Sequence, residues 1–243
     1  MAVGFLLFSL YSKYSIIIKR KNLIESVLSG VLFHGLYLGG VFYSISIGMP
    51  TSIAALIVTL QPILTNILSG PILNEKVTLK QWIGVLLGFL GATLVLGLDL
   101  GSKIPLLGLV ATLIALISIT ASTIWQKKLS NNLPLSVSNF YQAVGGCFFH
   151  IIVVIFFAKP YIAFTKTFLF SMGHQIFLVS FGAFTILMFL IKKNSASKTV
   201  SIFFLIPATS ALMAWFFLKE SLTAIDLLGF LITSIGVYIA TRD

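Results

Sequence analysis

The chain has 243 residues, of which 58% are hydrophobic and only 9% charged, with a formal net charge of +10. A soluble domain carries about 25% charged residues, so this composition, with a mean hydropathy of +1.08, excludes an ordinary water-soluble fold and points to lipid as the solvent. The positive charge does not indicate a nucleic-acid partner, because Lys and Arg stand in short connections and form no basic face interleaved with aromatics.

Hydrocarbon about 30 Å thick takes roughly 20 residues of helix to cross. In chain order the apolar runs predict nine spans, at about 2–18, 27–47, 51–73, 82–98, 105–125, 137–158, 174–191, 196–218 and 225–240, separated by polar punctuation such as Lys19-Arg20-Lys21-Asn22 and Asn74-Glu75-Lys76. Leu, Ile and Phe show no two-residue alternation, which argues against a β-barrel. Helices keep every backbone hydrogen bond within the segment, as hydrocarbon demands. The 2–18 run is too long, and lacks the leading basic region, for a cleaved signal peptide. Cys147, the single cysteine, lies inside a span and reads as a small buried apolar side chain. Alternating the connections across the bilayer collects Lys19, Arg20, Lys21, Lys76, Lys80, Lys127, Lys128, Lys192, Lys193 and Arg242 on one side, against Lys103, Lys159, Lys166 and Lys219 on the other. That excess assigns the first side, with the C-terminus, to the cytoplasm.

The chain repeats itself. At a constant offset of 145 residues, Ser52 meets Ser197, Pro62 meets Pro207, Leu73 meets Leu218, Glu75 meets Glu220, Thr78 meets Thr223, Gly84 meets Gly229 and Gly91 meets Gly236. Leucine matches come easily in such a sequence, but Pro, Glu, Thr and two Gly in register do not. The charge count puts Glu75 and Glu220 on opposite sides, so the two copies are inverted, an arrangement found in many secondary transporters. The first repeat covers residues 1–98 with four helices and the second 105–243 with five. A five-helix partner for the second copy would begin about 40 residues before Met1, so the chain reads as nine spans of an expected ten.

The repeated positions have physical work to do. Thr78 with Gln81, and more loosely Thr223 with Asp226, form the pattern of a capping box opening the last helix of each copy. Glu75 and Glu220 stand just before those caps, where a carboxylate is favoured by the helix dipole, and read as loop anchors. Gly84, Gly88 and Gly91, and likewise Gly229 and Gly236, give the closing helices a smooth stripe for close backbone approach. Pro62 and Pro207 interrupt mid-span helices, which is tolerated where a neighbour or a wet cavity satisfies the freed backbone. Ser52, Ala55, Thr59, Pro62, Asn66 and Ser69 share one polar-to-small face suited to a cavity wall or a packing seam. The mate keeps Ser197, Pro207, Ala211 and Ala214 of that face.

Acidic residues are absent from every span interior, which argues against a proton relay built on a buried carboxylate. His34 and His150 are the mid-span titratable groups, and a neutral packing role is the simpler reading for both. Lys13 reads as snorkelling from the first span, and Trp125 as an interfacial anchor. No His/Cys/acid cluster has metal-ligand spacing, and no nucleophile elbow or phosphate-cradling loop occurs. The expectation is therefore no enzyme, no metal and no cofactor.

Leu60-Gln61-Pro62 with Leu73-Asn74-Glu75-Lys76-Val77-Thr78, and Leu205-Ile206-Pro207 with Leu218-Lys219-Glu220-Ser221-Leu222-Thr223, each followed by the paired glycines, resemble the two EamA domains of the drug/metabolite transporter superfamily. The run Ser195-Ala196-Ser197 shares in the likeness. The resemblance implies an all-α polytopic membrane protein of two inverted repeats around a central cavity, a secondary permease that moves a small metabolite or drug across the plasma (inner) membrane by alternating access. His34, Tyr37, Thr59, Pro62 and Asn66 are the expected lining from the first copy, and Ser201, Pro207 and Thr209 from the second. The expected partners are the lipid bilayer and a small-molecule substrate, with a homodimer left open and nucleic acid excluded. A truncated, non-transporting remnant of such a carrier is the alternative, followed by a membrane-embedded enzyme or assembly factor.

Overall fold

The computed structural model describes residues 1–97, 103–157, 162–219 and 221–242. Glu220, with Asp99, Lys159 and Asp243, lies outside the described residues. Nine helices stand among the described residues: α1 (Ala2–Tyr11), α2 (Arg20–Ser46), α3 (Thr51–Leu73), α4 (Leu79–Leu96), α5 (Leu106–Ser130), α6 (Leu135–Phe157), α7 (Lys166–Lys193), α8 (Ala196–Phe217) and α9 (Ala224–Thr241). Eight of them are long and apolar enough to cross a membrane. The protein is an all-α polytopic membrane protein.

The first helix corrects the expected 2–18 span, since α1 stops at Tyr11. Lys13 takes a left-handed φ of 57°, and the amides of Ser12, Lys13 and Tyr14 fold back onto the carbonyls of Phe8, Leu10 and Ser9. The run Ile16-Ile17-Ile18 then continues without helix, in keeping with the stiffness of β-branched side chains. The Tyr141 hydroxyl donates to the Ile16 carbonyl at 2.9 Å and ties this segment to α6.

The repeat is written in the backbone as well as in the sequence. Asn74 and Lys219, which are 145 residues apart, end their helices with left-handed φ of 57° and 56°. Both capping boxes are formed. The Gln81 and Asp226 amides donate to Thr78 and Thr223 Oγ1 at 3.3 and 3.2 Å, and the Thr78 and Thr223 amides donate back to the Gln81 and Asp226 side chains at 2.8 Å each. Helix α3 breaks between Val58 and Gln61. Helix α8 tightens into a 3-10 turn at Ile202–Phe204, the same place in the repeat. Pro62 follows the first break within the opening turn of the next piece, where a missing N–H costs little. A π-helical stretch occupies Val31–Tyr37 of α2 and Gln175–Ala183 of α7, again in register.

The closing helices show how the two copies are related. A Cβ on Gly84 would lie 2.6 Å from the Gly236 carbonyl, and one on Gly236 2.7 Å from the Gly84 carbonyl; Gly91 and Gly229 oppose each other's carbonyls at 2.6 and 2.8 Å. The repeat exchanges Gly84 with Gly229 and Gly91 with Gly236, so it carries one contact pair onto the other. This is the reciprocity of a two-fold contact. The pairing also runs α4 and α9 antiparallel, which is the inversion expected from the charge count.

The described residues form two compact units, Met1–Leu36 with Ala121–Asn194, and Tyr37–Thr120 with Ser195–Asp243. Each draws on both sequence halves. The first is centred on Phe5, Phe184, Met188 and Ile191. The second is centred on Val85, Ala92, Phe204, Val237 and Ala240, with Ile63, Phe89 and Leu205 packed against them.

Candidate functional site

In the second unit both broken helices carry buried polar groups. Gln61, Thr65, Asn66 and Ser69 are buried on the second piece of α3. Thr59 Oγ1 donates to the Ala55 carbonyl at 2.7 Å, just before the break, and Ser69 Oγ donates to the Asn66 carbonyl at 3.3 Å. Among the described residues, neither the oxygen nor the nitrogen of the Asn66 amide has a partner, and Thr65 Oγ1 has none. A buried amide without partners is costly and is normally met by water or a ligand.

On α8, Ser201 is buried and its Oγ donates to the Ser197 carbonyl at 2.9 Å. Thr209 is exposed and donates to the Leu205 carbonyl at 2.8 Å. Pro207 lies one turn after the 3-10 segment. The N-terminus of α8 is held from two sides. Ser195 Oγ accepts from the Lys198 amide at 3.2 Å, while the Glu75 carboxylate accepts from the Ala196 and Ser197 amides at 2.8 and 3.3 Å. Glu75 thus meets orphaned donors of another helix's first turn and opposes that helix's dipole. It fastens the C-terminal end of α3 to the start of α8.

The first unit holds His34 and a separate polar cluster. The His34 ring sits 5.0 Å from the rings of both Phe33 and Phe184, and its Nε2 has no partner among the described residues. The π-helical turn around it leaves the His34 carbonyl for the His150 ring, whose Nε2 donates to it at 2.8 Å. Such π turns are often found at functional places. Tyr37 closes the same turn and belongs to the second unit. Nearer the end of the first unit, Ser29 and Ser122 hydroxyls meet at 3.1 Å, Gln126 Nε2 donates to Ser122 Oγ and to Gln142 Oε1 at 3.1 Å each, and Gln142 Nε2 donates to Ser138 Oγ at 3.0 Å. This chain of buried bonds joins α2, α5 and α6. Lys127 Nζ caps α7, donating to the Ile191 and Asn194 carbonyls at 2.9 and 2.6 Å. Among the described residues no group of three or more His, Cys, Asp or Glu could hold a metal ion.

A family model, the EamA-like transporter family, matches residues 1–97 and 106–242. The chain belongs to this family. It is similar to "Uncharacterized transporter YvbV" of Bacillus subtilis (strain 168), at 28% identity over 86% of this chain and 68% of the relative. It is also similar to "Uncharacterized transporter YyaM" of the same organism, at 26% identity over 91% of this chain and 74% of the relative. A solved crystal structure superposes on this EamA-like chain with a TM-score of 0.82 at 14% identity, covering 99% of this chain and 83% of the other, and so shares its fold.

In this EamA-like transporter the expected lining residues fall into three places. Thr59, Pro62 and Asn66 follow one another along α3; Ser201, Pro207 and Thr209 along α8; His34 and Tyr37 within the π turn of α2. Sequence reasoning missed Thr65, Lys127 and the Ser29–Gln142 chain. The spacing of Gln126 and Gln142 on neighbouring apolar spans was the available signal for the last.

Proposed function

We propose that this membrane transporter is a secondary permease that moves a small metabolite or drug across the cytoplasmic membrane by alternating access, with the Glu75 end facing the cytoplasm. What carries the reading is a difference between repeat mates in the second unit. Gln61 is 1% exposed and its mate Ile206 55%; Ala196 and Ser197 are 0% and 1% exposed, whereas Thr51 is exposed and Ser52 partly so. The start of α8, at the Glu75 end, is thus buried, while the start of α3, at the other end, is exposed. An inverted pair that interchanges these two conformations faces the opposite side of the bilayer. Asn66, with its unpartnered amide beside the α3 break, is the group best suited to a substrate's polar end, and Thr65 supports it.

The test is flux in proteoliposomes across a panel of amino acids, nucleosides and amphipathic drugs. Saturable counterflow of one class supports the proposal. Absence of counterflow for every class, with the protein folded and inserted, overturns it.

A further inference from the structure

Apart from the broken helices, the first unit carries an open pocket of about 900 Å³ at one end of its bundle. Its walls are the non-helical Ser15–Lys19 segment, the first turn of α2, and the α5–α6 connection, so the pocket lies where spans leave the bilayer. Lys19, Lys21 and Lys128 line it with Asn22 and Asn131, against a single carboxylate, Glu25. Among the described residues none of the three lysines has an ion-pair partner. Three ammonium groups around one concavity repel one another unless an anion joins them. The opening turn of α2 contains no acidic residue, so Lys19 and Lys21 also stand against that helix's dipole. Ile17, Ile18 and Leu133 give the same pocket an apolar flank, which suits a ligand with a charged head and a greasy tail.

We propose that this pocket binds a phosphate-centred anion, carried by a phospholipid headgroup or free in water, with Lys19, Lys21 and Lys128 as the charged contacts and the Asn22 and Asn131 amides as additional donors. The proposal does not rest on the transport reading, and its test requires no flux. The whole protein, purified in neutral detergent and stripped of lipid, is titrated with short-chain phosphatidylglycerol, short-chain phosphatidylcholine or inorganic phosphate, and binding is read by native mass spectrometry and thermal shift.

Phosphatidylglycerol should bind at least tenfold more tightly than phosphatidylcholine, by about fivefold for each lysine near the anion, and the preference should shrink as ionic strength rises. The triple variant Lys19→Gln/Lys21→Gln/Lys128→Gln should lose the preference, the triple Arg variant should keep it, and Lys103→Gln should leave it unchanged. Phosphate competing with phosphatidylglycerol for the same lysines assigns the site to the anion alone; phosphatidylglycerol binding without phosphate competition assigns it to lipid. Equal binding of the two lipids with no phosphate binding, or a preference that survives the triple Gln variant, overturns the proposal.

Discussion

Replacing Gly84 by alanine is the sharpest test of the two-fold crossing. The new methyl carbon would sit 2.6 Å from the Gly236 carbonyl oxygen and 2.8 Å from Ala240 Cα. Both are backbone atoms, so no side chain can rotate away and the helices must part. Overpacking of this kind costs roughly 1–3 kcal/mol, offset by about 1 kcal/mol because Ala is the better helix former. The net loss for Gly84→Ala should be about 0–2 kcal/mol, and Gly84→Val, which adds two further methyls with a smaller propensity gain, should exceed about 3 kcal/mol. Gly236→Ala strikes the same contact from the other side, so the double variant should lose less than the two singles summed. Gly173 has nothing within 4 Å of its Cβ position, so Gly173→Ala should be neutral or slightly stabilising. Equilibrium unfolding in mixed micelles, followed by helical circular dichroism, measures all five. If Gly84→Ala proves as stable as Gly173→Ala, the close crossing is not what holds α4 to α9.

Two further outcomes follow from the polar groups. Asn66→Leu removes an amide that has no protein partner, so stability should hold or rise by about 1 kcal/mol, while counterflow should fall at least tenfold; a loss of stability with intact transport would make Asn66 a packing residue. Lys127→Met strips the α7 C-terminus of its cation and should destabilise the protein by about 1–3 kcal/mol in the same unfolding assay, and an unchanged midpoint would show those carbonyls to be served by water.

Much of the fold was legible because it is written twice. Thr78 and Thr223, Pro62 and Pro207 each announce a cap or break, and the fixed offset between them survives translation into backbone geometry. The glycine stripe was legible for a similar reason, since only a backbone contact requires it. The end of α1 was not legible: Ser12 to Ile18 is apolar enough to continue a span, and nothing in its hydropathy marks the left-handed Lys13. The π turns at Val31–Tyr37 and Gln175–Ala183 carry no proline, and their glycines, Gly35 and Gly182, do not stand at equivalent places in the repeat.

The site was read less completely than the fold, because its bonds join residues far apart in sequence. Glu75 looked like a loop anchor on its own helix, yet its acceptors serve amides 121 and 122 residues away. Ser29, Ser122, Gln126 and Gln142 each pass as minor interruptions of an apolar run, and only packing of α2, α5 and α6 makes them one chain of hydrogen bonds.

Thiol labelling of one repeat pair tests the central claim most directly. In a Cys147→Ser background, Ser52→Cys and Ser197→Cys are exposed in turn to an impermeant maleimide, from each face of sealed membrane vesicles. The inverted, one-end-closed arrangement predicts fast labelling of Ser52→Cys from one face and slow labelling of Ser197→Cys from the opposite face, accelerated when Glu75→Gln loosens the α8 start. Labelling of both from the same face, or at equal rates irrespective of Glu75, would contradict it.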